Sequence, residues 1–358
     1  MSVARRLLGL FRELQYRMYG RSFVGVMSPG DVCSVEDRTP GLTHGDVVHP
    51  CVRYIEECFE GHKWWMVYTP YYAANASLEN PILCYGDSET DEAPKRWFFC
   101  CVIQPQQSRG YNSDPTMFFR DGRLFVFWRE NETPRTDAFH CCRATFGGEV
   151  KAGKLVPFEN PLLVEPLNYE DRETCPTIIP SDGSYMSYAM HLRFFSSRLR
   201  SMKGVLGKLL NRCAVVLDLL GVCSQQKSYG IAIWTGDTLQ HSFSYKKTVR
   251  FKGVNKLYRP WHMDFFDYDG VRYAIVQTNQ SNADLCLAKS TDGETFTFFK
   301  KPLITNRTID MVGIYKPTAL VVDDVFYLYY TAQDKDNRAL NKLYMTKMSI
   351  NQILNSVQ

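Results

Sequence analysis

The sequence lacks any apolar run of about 20 residues, the length a membrane-spanning helix takes, so no transmembrane segment is expected. It also lacks a strong charge of one sign. The 42 Lys and Arg against 38 Asp and Glu leave a net +4, dispersed along the chain, and the concentrated basic face that nucleic acid requires is missing. No linker rich in Gly, Ser or Pro separates candidate domains, which argues against an array of immunoglobulin-like sandwiches. The 12 cysteines fall inside strand-like runs (Cys100, Cys101, Cys141, Cys142, Cys286) without the close, regular spacing of a disulfide framework or a zinc site. They are expected as reduced core residues of a cytoplasmic protein. A secretory leader is not expected either, because the apolar run Leu7 to Phe11 is interrupted by Arg12 and Glu13 and no small-residue cleavage site follows.

What residues 1–22 do carry is five arginines among Leu7, Leu8, Leu10, Phe11, Leu14 and Met18. The pattern predicts an amphipathic helix, either packed on the body of the protein or lying on an anionic membrane surface. A second one is predicted near residues 202–220, inside an insertion spanning about 191–227. There Leu206, Leu209, Leu210, Cys213, Val216, Leu217 and Leu220 recur at helical spacing beside Arg193, Arg198, Arg200, Lys203, Lys208 and Arg212. These basic faces are the basis for expecting a peripheral membrane contact. An alternative docks the leucines on the body and leaves the charges in water.

The rest of the chain is organised by a repeat. A Pro-led strand is followed six residues later by an Asp-Gly-type turn in Asp114-Pro115 to Asp121-Gly122, in Cys175-Pro176 to Asp182-Gly183, and in Lys316-Pro317 to Asp323-Asp324. His262-Met263 to Asp269-Gly270 keeps the spacing with Met in place of Pro, and a copy with a longer turn begins at His49-Pro50 and ends near Gly61. An aromatic or β-branched strand follows each turn, and further strands follow in most units. Asp-Gly between two such runs is a strong hairpin signal, and Pro is tolerated at a strand start because its missing N–H can stay out of the ladder. Five four-stranded units in one chain predict an all-β, five-bladed propeller over residues 23–358. Aromatic residues at 14% supply strand packing and leave rings available for a sugar-binding wall.

In a propeller the first strand of each blade is innermost, so the strand heads His49, Asp114, Cys175, His262 and Lys316 should converge on one end of the channel. Loops between second and third strands open at the same end. They would bring Tyr71 and Glu79 from blade one and Arg129 from blade two, a mixture of rings, carboxylates and guanidinium suited to a polyol. His262 and Asp264 are the one pair with ligand character, at i and i+2. No third ligand is apparent from sequence, so neither metal nor other cofactor is expected.

Asp114-Pro115, His49-Pro50, Trp261-His262 and Ser290-Thr-Asp292-Gly293 resemble glycoside hydrolase family 43 and its five-bladed relatives, in particular a bacterial branch with a His-Pro head, a Tyr-rich strand and a Glu-Asn-Pro rim. The resemblance covers about His49 to Met348. It implies a first-blade Asp as general base, a second-blade Asp that tunes the acid, a third-blade Glu as general acid, and a fourth-blade His near a bound cation. Only the second carries over directly, to Asp114; His49 stands at the first position, Glu173 is one residue further from its Pro than the pattern places the acid, and His262 matches the histidine. The expectation is a carbohydrate-active, glycosidase-like pocket with Asp114 as base or orienter and His49, Glu173 or His262 as proton donor. Glu79, Tyr71, Arg129, Lys316 and Trp261 are the expected substrate contacts. A catalytically silent glycan-binding propeller and a sugar-transfer enzyme are the alternatives.

Overall fold

A computed structural model describes residues 24–36, 46–71, 75–86, 92–104, 110–132, 141–164, 171–181, 183–193, 229–254, 260–278, 284–305, 311–334 and 340–358. They form five separate sheets, each led by one of the predicted strands. The inner strands are Val48–Phe59, Tyr111–Arg120, Asp171–Ser181, Pro260–Tyr268 and Met311–Val322, in blades one to five. Each inner strand touches those of the two neighbouring blades, so the five close a ring. The ring is latched by Asp31–Val32, which pairs antiparallel with Asn341–Ser349 and becomes the outermost strand of blade five. The chain then adds Ser34–Val35 to the outer edge of blade one.

Every inner hairpin turns on two residues, as the pairs Phe59↔His62, Arg120↔Arg123, Ser181↔Ser184, Tyr268↔Val271 and Val322↔Val325 show. Asp121 and Gly122 sit at φ 54° and 71°, and Asp269 and Gly270 at 50° and 69°; two left-handed residues match the right-handed twist of the flanking strands. Hydrophobic contacts gather in five clusters, one at each blade-to-blade junction, where alternate strand residues face one another. Trp64, Trp65, Trp97 and Trp128 are fully enclosed there. The protein's centre is therefore left to the polar strand heads.

One α-helix is described, and it is C-terminal: Ile350–Ser356, which buries Ile350 and Ile353 against the junction of blades four and five. The N-terminal helix expected over residues 1–22 and the helix expected near 202–220 fall outside the described residues. Among those described, no helix is long and apolar enough to cross a membrane. Cys51, Cys84, Cys175 and Cys286 are buried free thiols, while Cys58 is exposed and Cys100 and Cys101 lie half-buried.

The head prolines do not start strands, as sequence reasoning expected. The strands begin before them, and each Pro belongs to a bulge in which two inner-strand residues oppose one partner. The register shifts fall at Val48/Cys51, Ser113/Thr116, Thr174/Thr177 and Tyr315/Thr318. A bulge leaves one residue out of the ladder, so a residue without an N–H costs no bond there. The residue before each Pro is left-handed: φ is 54° at His49, 50° at Asp114, 54° at Cys175 and 28° at Lys316. Blade four has its shift between Pro260 and His262, leaving Trp261 as the extra residue.

Candidate functional site

The bulges re-aim the head side chains toward the channel axis, and three of them meet. His49 Nε2 lies 3.1 Å from Asp114 Oδ1. The rings of His49 and His262 have centroids 5.7 Å apart. Donor atoms of His49, Asp114 and His262 all fall within 4.8 Å of one another, and all three residues are buried.

Around this trio the other heads act as support. Arg129 Nη2 binds Asp114 Oδ2 at 2.8 Å and Ser113 Oγ at 2.9 Å. Arg129 is on the second strand of blade two, Arg123–Glu132, and not in the rim loop where the sequence placed it. Lys316 donates from Nζ to the Pro115 carbonyl at 2.8 Å, and its backbone N–H binds Gln277 Oε1 at 2.7 Å. Both cations expected to grip substrate are thus engaged with protein groups. Cys175 Sγ stands 3.7 Å from His262 Nε2. Glu173 is on the inner strand of blade three, its Cα paired with His191, and its side chain lies outside the described part.

On the rim side, Glu79 is buried, with Oε2 3.9 Å from His49 Nδ1. A short 3-10 turn, Ala76–Leu78, brings it inward. Tyr71 is half-buried, its N–H donating to Asp46 Oδ2 at 2.6 Å. Trp261 is also half-buried and donates from Nε1 to the Tyr315 hydroxyl at 3.3 Å. That hydroxyl lies 3.4 Å from His49 Nε2, and the Tyr315 ring meets His262 edge to face at 4.7 Å. Tyr315, Ser113 and Thr69 were missed by sequence reasoning. Tyr315 and Ser113, like Trp261, immediately precede a head residue, which is the signal that would have found them.

The electrostatics divide the acids. Burial works to raise the Asp114 carboxyl, but Arg129 foremost, with His49 and Lys316, outweighs it and holds the group well below the usual carboxylate range. Burial, reinforced by the Asp114 charge, pushes Glu79 up to about 8. Desolvation drives His49 down to about 3 and His262 well below its ordinary value, against the pull of Asp114. At neutral pH these shifts favour an ionised Asp114, a protonated Glu79 and neutral imidazoles at this site.

The cation that the family resemblance implies can be tested against these donors. Asp264 does not join His262: its carboxylate accepts Arg53 Nη2 at 2.7 Å, Arg53 Nη1 at 3.0 Å and Thr318 Oγ1 at 2.5 Å. Two imidazoles and one carboxylate are a poor set for calcium, which takes six to eight oxygens, and a good one for a first-row transition ion. A cavity of about 660 Å³ lies away from this site, among hairpin turns, where Arg272 is tied to Asp267 at 3.0 Å and Asp292 accepts the N–H of Thr295 at 2.7 Å.

Neither a protein-family model nor a curated protein matches the sequence. Solved structures do match the fold. An N-acetylgalactosamine deacetylase from F. plautii, in complex with blood group B trisaccharide, is similar at a TM-score of 0.67 and 14% identity, over 92% of this chain and 97% of that one. A glycoside hydrolase family 43 enzyme from Xanthomonas citri complexed with xylotriose is similar at 0.55 and 11%, over 93% of each. A Cellvibrio cellulosa α-L-arabinanase complexed with arabinohexaose is similar at 0.54 and 9%, over 87% and 98%. The five-bladed propeller of these carbohydrate enzymes is therefore the fold of this chain.

Proposed function

We propose that this chain is a hydrolase acting on a glycan held at the head end of the channel. The observation that carries the reading is the contrast between two neighbouring buried carboxyls: Glu79, protonated up to about pH 8, and Asp114, ionised throughout. Glycan hydrolysis needs one carboxyl to give a proton to the leaving oxygen and a fixed negative charge where positive charge develops. Glu79, expected from sequence as a substrate contact, takes the donor role; neutral His49 and His262 have no proton to give as acids near pH 7. Asp114, fixed by Arg129, stabilises the transition state and orients water. Trp261 and Tyr71 at the half-buried margin offer faces for a sugar ring.

A second reading, removal of an N-acetyl group from a sugar, is favoured by the His49–Asp114–His262 cluster. A transition ion bound there would supply a water nucleophile at neutral pH. The likeness to a deacetylase adds to it. One assay separates the readings: a panel of aryl xylosides, arabinofuranosides, galactosides and N-acetylated sugars, followed for phenol release and for acetate release. Phenol release lost in Glu79→Gln supports the first reading, and acetate release supports the second. Sugar binding without either product would make the chain a binding propeller and overturn the proposal.

A further inference from the structure

Among the described residues, the clearest unmet chemistry lies within the head ring. Two fully buried polar atoms of the trio, His262 Nδ1 and Asp114 Oδ1, have no hydrogen-bond partner. An unmatched buried polar atom costs about 1–3 kcal/mol, and donor atoms of His49, Asp114 and His262 lie within 4.8 Å of one another, so the cluster is suited to a shared ligand.

The third member sharpens the point. His49 Nδ1 lies 2.8 Å from Thr69 Oγ1, and Thr69 in turn donates to the Val48 carbonyl at 3.3 Å. With the hydroxyl hydrogen used on Val48, the ring donates from Nδ1, and Nε2 is left with a lone pair. That lone pair faces the Asp114 carboxylate oxygen at 3.1 Å. In this tautomer Nε2, also 3.4 Å from the Tyr315 hydroxyl, and Oδ1 are two acceptors held close, an arrangement that a cation between them would satisfy. Ligands at about 2.1 Å from a metal and at right angles or tetrahedral angles stand about 3.0–3.4 Å apart. The Nδ1–H to Thr69 bond is also the outer contact that metal-bound imidazoles ordinarily make.

We propose that His49 Nε2, Asp114 Oδ1 and His262 Nδ1 bind one first-row divalent transition ion, zinc being the best match to two nitrogens and one oxygen, in preference to calcium. The three ligands come from the bulged heads of blades one, two and four, so the site exists only when the ring is closed. This inference does not depend on what the pocket hydrolyses.

The test uses the full chain, stripped with a chelator and dialysed. Isothermal titration with Zn²⁺, Mn²⁺ and Ca²⁺ should give one transition ion per chain, with zinc at least about 100-fold tighter than calcium. His49→Gln and His262→Gln should each weaken zinc by about 10-fold or more, whereas the exposed His241→Gln should not change it. Circular dichroism identifies any variant that fails to fold. X-ray absorption at the zinc edge of the wild-type chain then decides independently, with two imidazoles expected in the first shell. Equal or tighter calcium binding, zinc binding unaffected in both folded variants, or an edge spectrum without imidazole would each overturn the assignment. Loss of sugar turnover with zinc binding intact would fault only the glycan reading.

Discussion

Two arginine–aspartate pairs with buried carboxylates lie in the channel, and they are built to different ends. Arg53 and Asp264 join blades one and four by two contacts of 2.7 and 3.0 Å; Asp264 also receives Thr318 of blade five, and Arg53 Nε donates to the Met117 carbonyl of blade two at 3.0 Å. Arg129 and Asp114 sit within blade two, joined at 2.8 Å, and leave Asp114 Oδ1 without a hydrogen-bond partner beside two imidazoles. The first pair satisfies its charge completely and ties four blades together. The second keeps a carboxylate ionised and partly unspent. A buried charge whose hydrogen bonds are all met serves architecture, and one held ionised with an oxygen to spare is available for chemistry.

The largest effect should come from breaking the architectural pair. Asp264→Ala leaves the largely buried Arg53 charge without its carboxylate, and urea denaturation should show a loss of about 3 kcal/mol. Asp114→Asn keeps the shape and an acceptor for Arg129, so its stability loss should be smaller, about 1–2 kcal/mol, while turnover on the responsive sugar falls about 100-fold or more. If Asp114→Asn were as destabilising as Asp264→Ala and left turnover unchanged, the two pairs would have the same role.

Glu79→Gln should cost turnover about 100-fold while retaining sugar binding, and it carries a pH signature as well. Glu79 has a folded value of about 8 against 4.5 unfolded, so the folded chain holds the proton longer. Its contribution is present at acid pH and is lost as pH rises from about 4.5 through 8. Melting temperatures should therefore fall less steeply across that window in the Gln variant than in the wild type. Identical slopes would show that Glu79 titrates normally and would remove it as the acid.

Away from the channel, the turn end should respond least. Cys58 is exposed and left-handed at φ 59°, a conformation that costs a side chain about 1 kcal/mol, so Cys58→Gly should be neutral or stabilising by up to about that amount in a thermal melt. The same kind of backbone at His49 and Asp114 is found at buried positions of the head cluster. Destabilisation of more than about 1 kcal/mol by Cys58→Gly would mean that left-handed residues are constrained alike at both ends.

Legibility followed the same division. Hairpins, blade number and the ring of heads were readable because a two-residue turn and alternating strands leave a local, periodic mark: Asp121-Gly122 and Asp269-Gly270 announce their own φ values. His49, Asp114 and His262 could be listed as neighbours because equal places in a repeat become equal places around an axis. Their chemistry could not. Glu79 reads as one rim carboxylate among several until burial raises it, and Arg129 reads as a loop cation until the strand carries it onto Asp114.

The sequence by itself determined that this chain must repeat, turn and close, since turn residues and strand periodicity act over a few positions and carry their instructions with them. Only the tertiary structure decided which acid burial pushes up, which cation is committed, and that Asp264 belongs to Arg53 while Asp114 belongs with the imidazoles. Those outcomes depend on desolvation and on distances between blades. Both arise when residues far apart in the chain are brought to one axis.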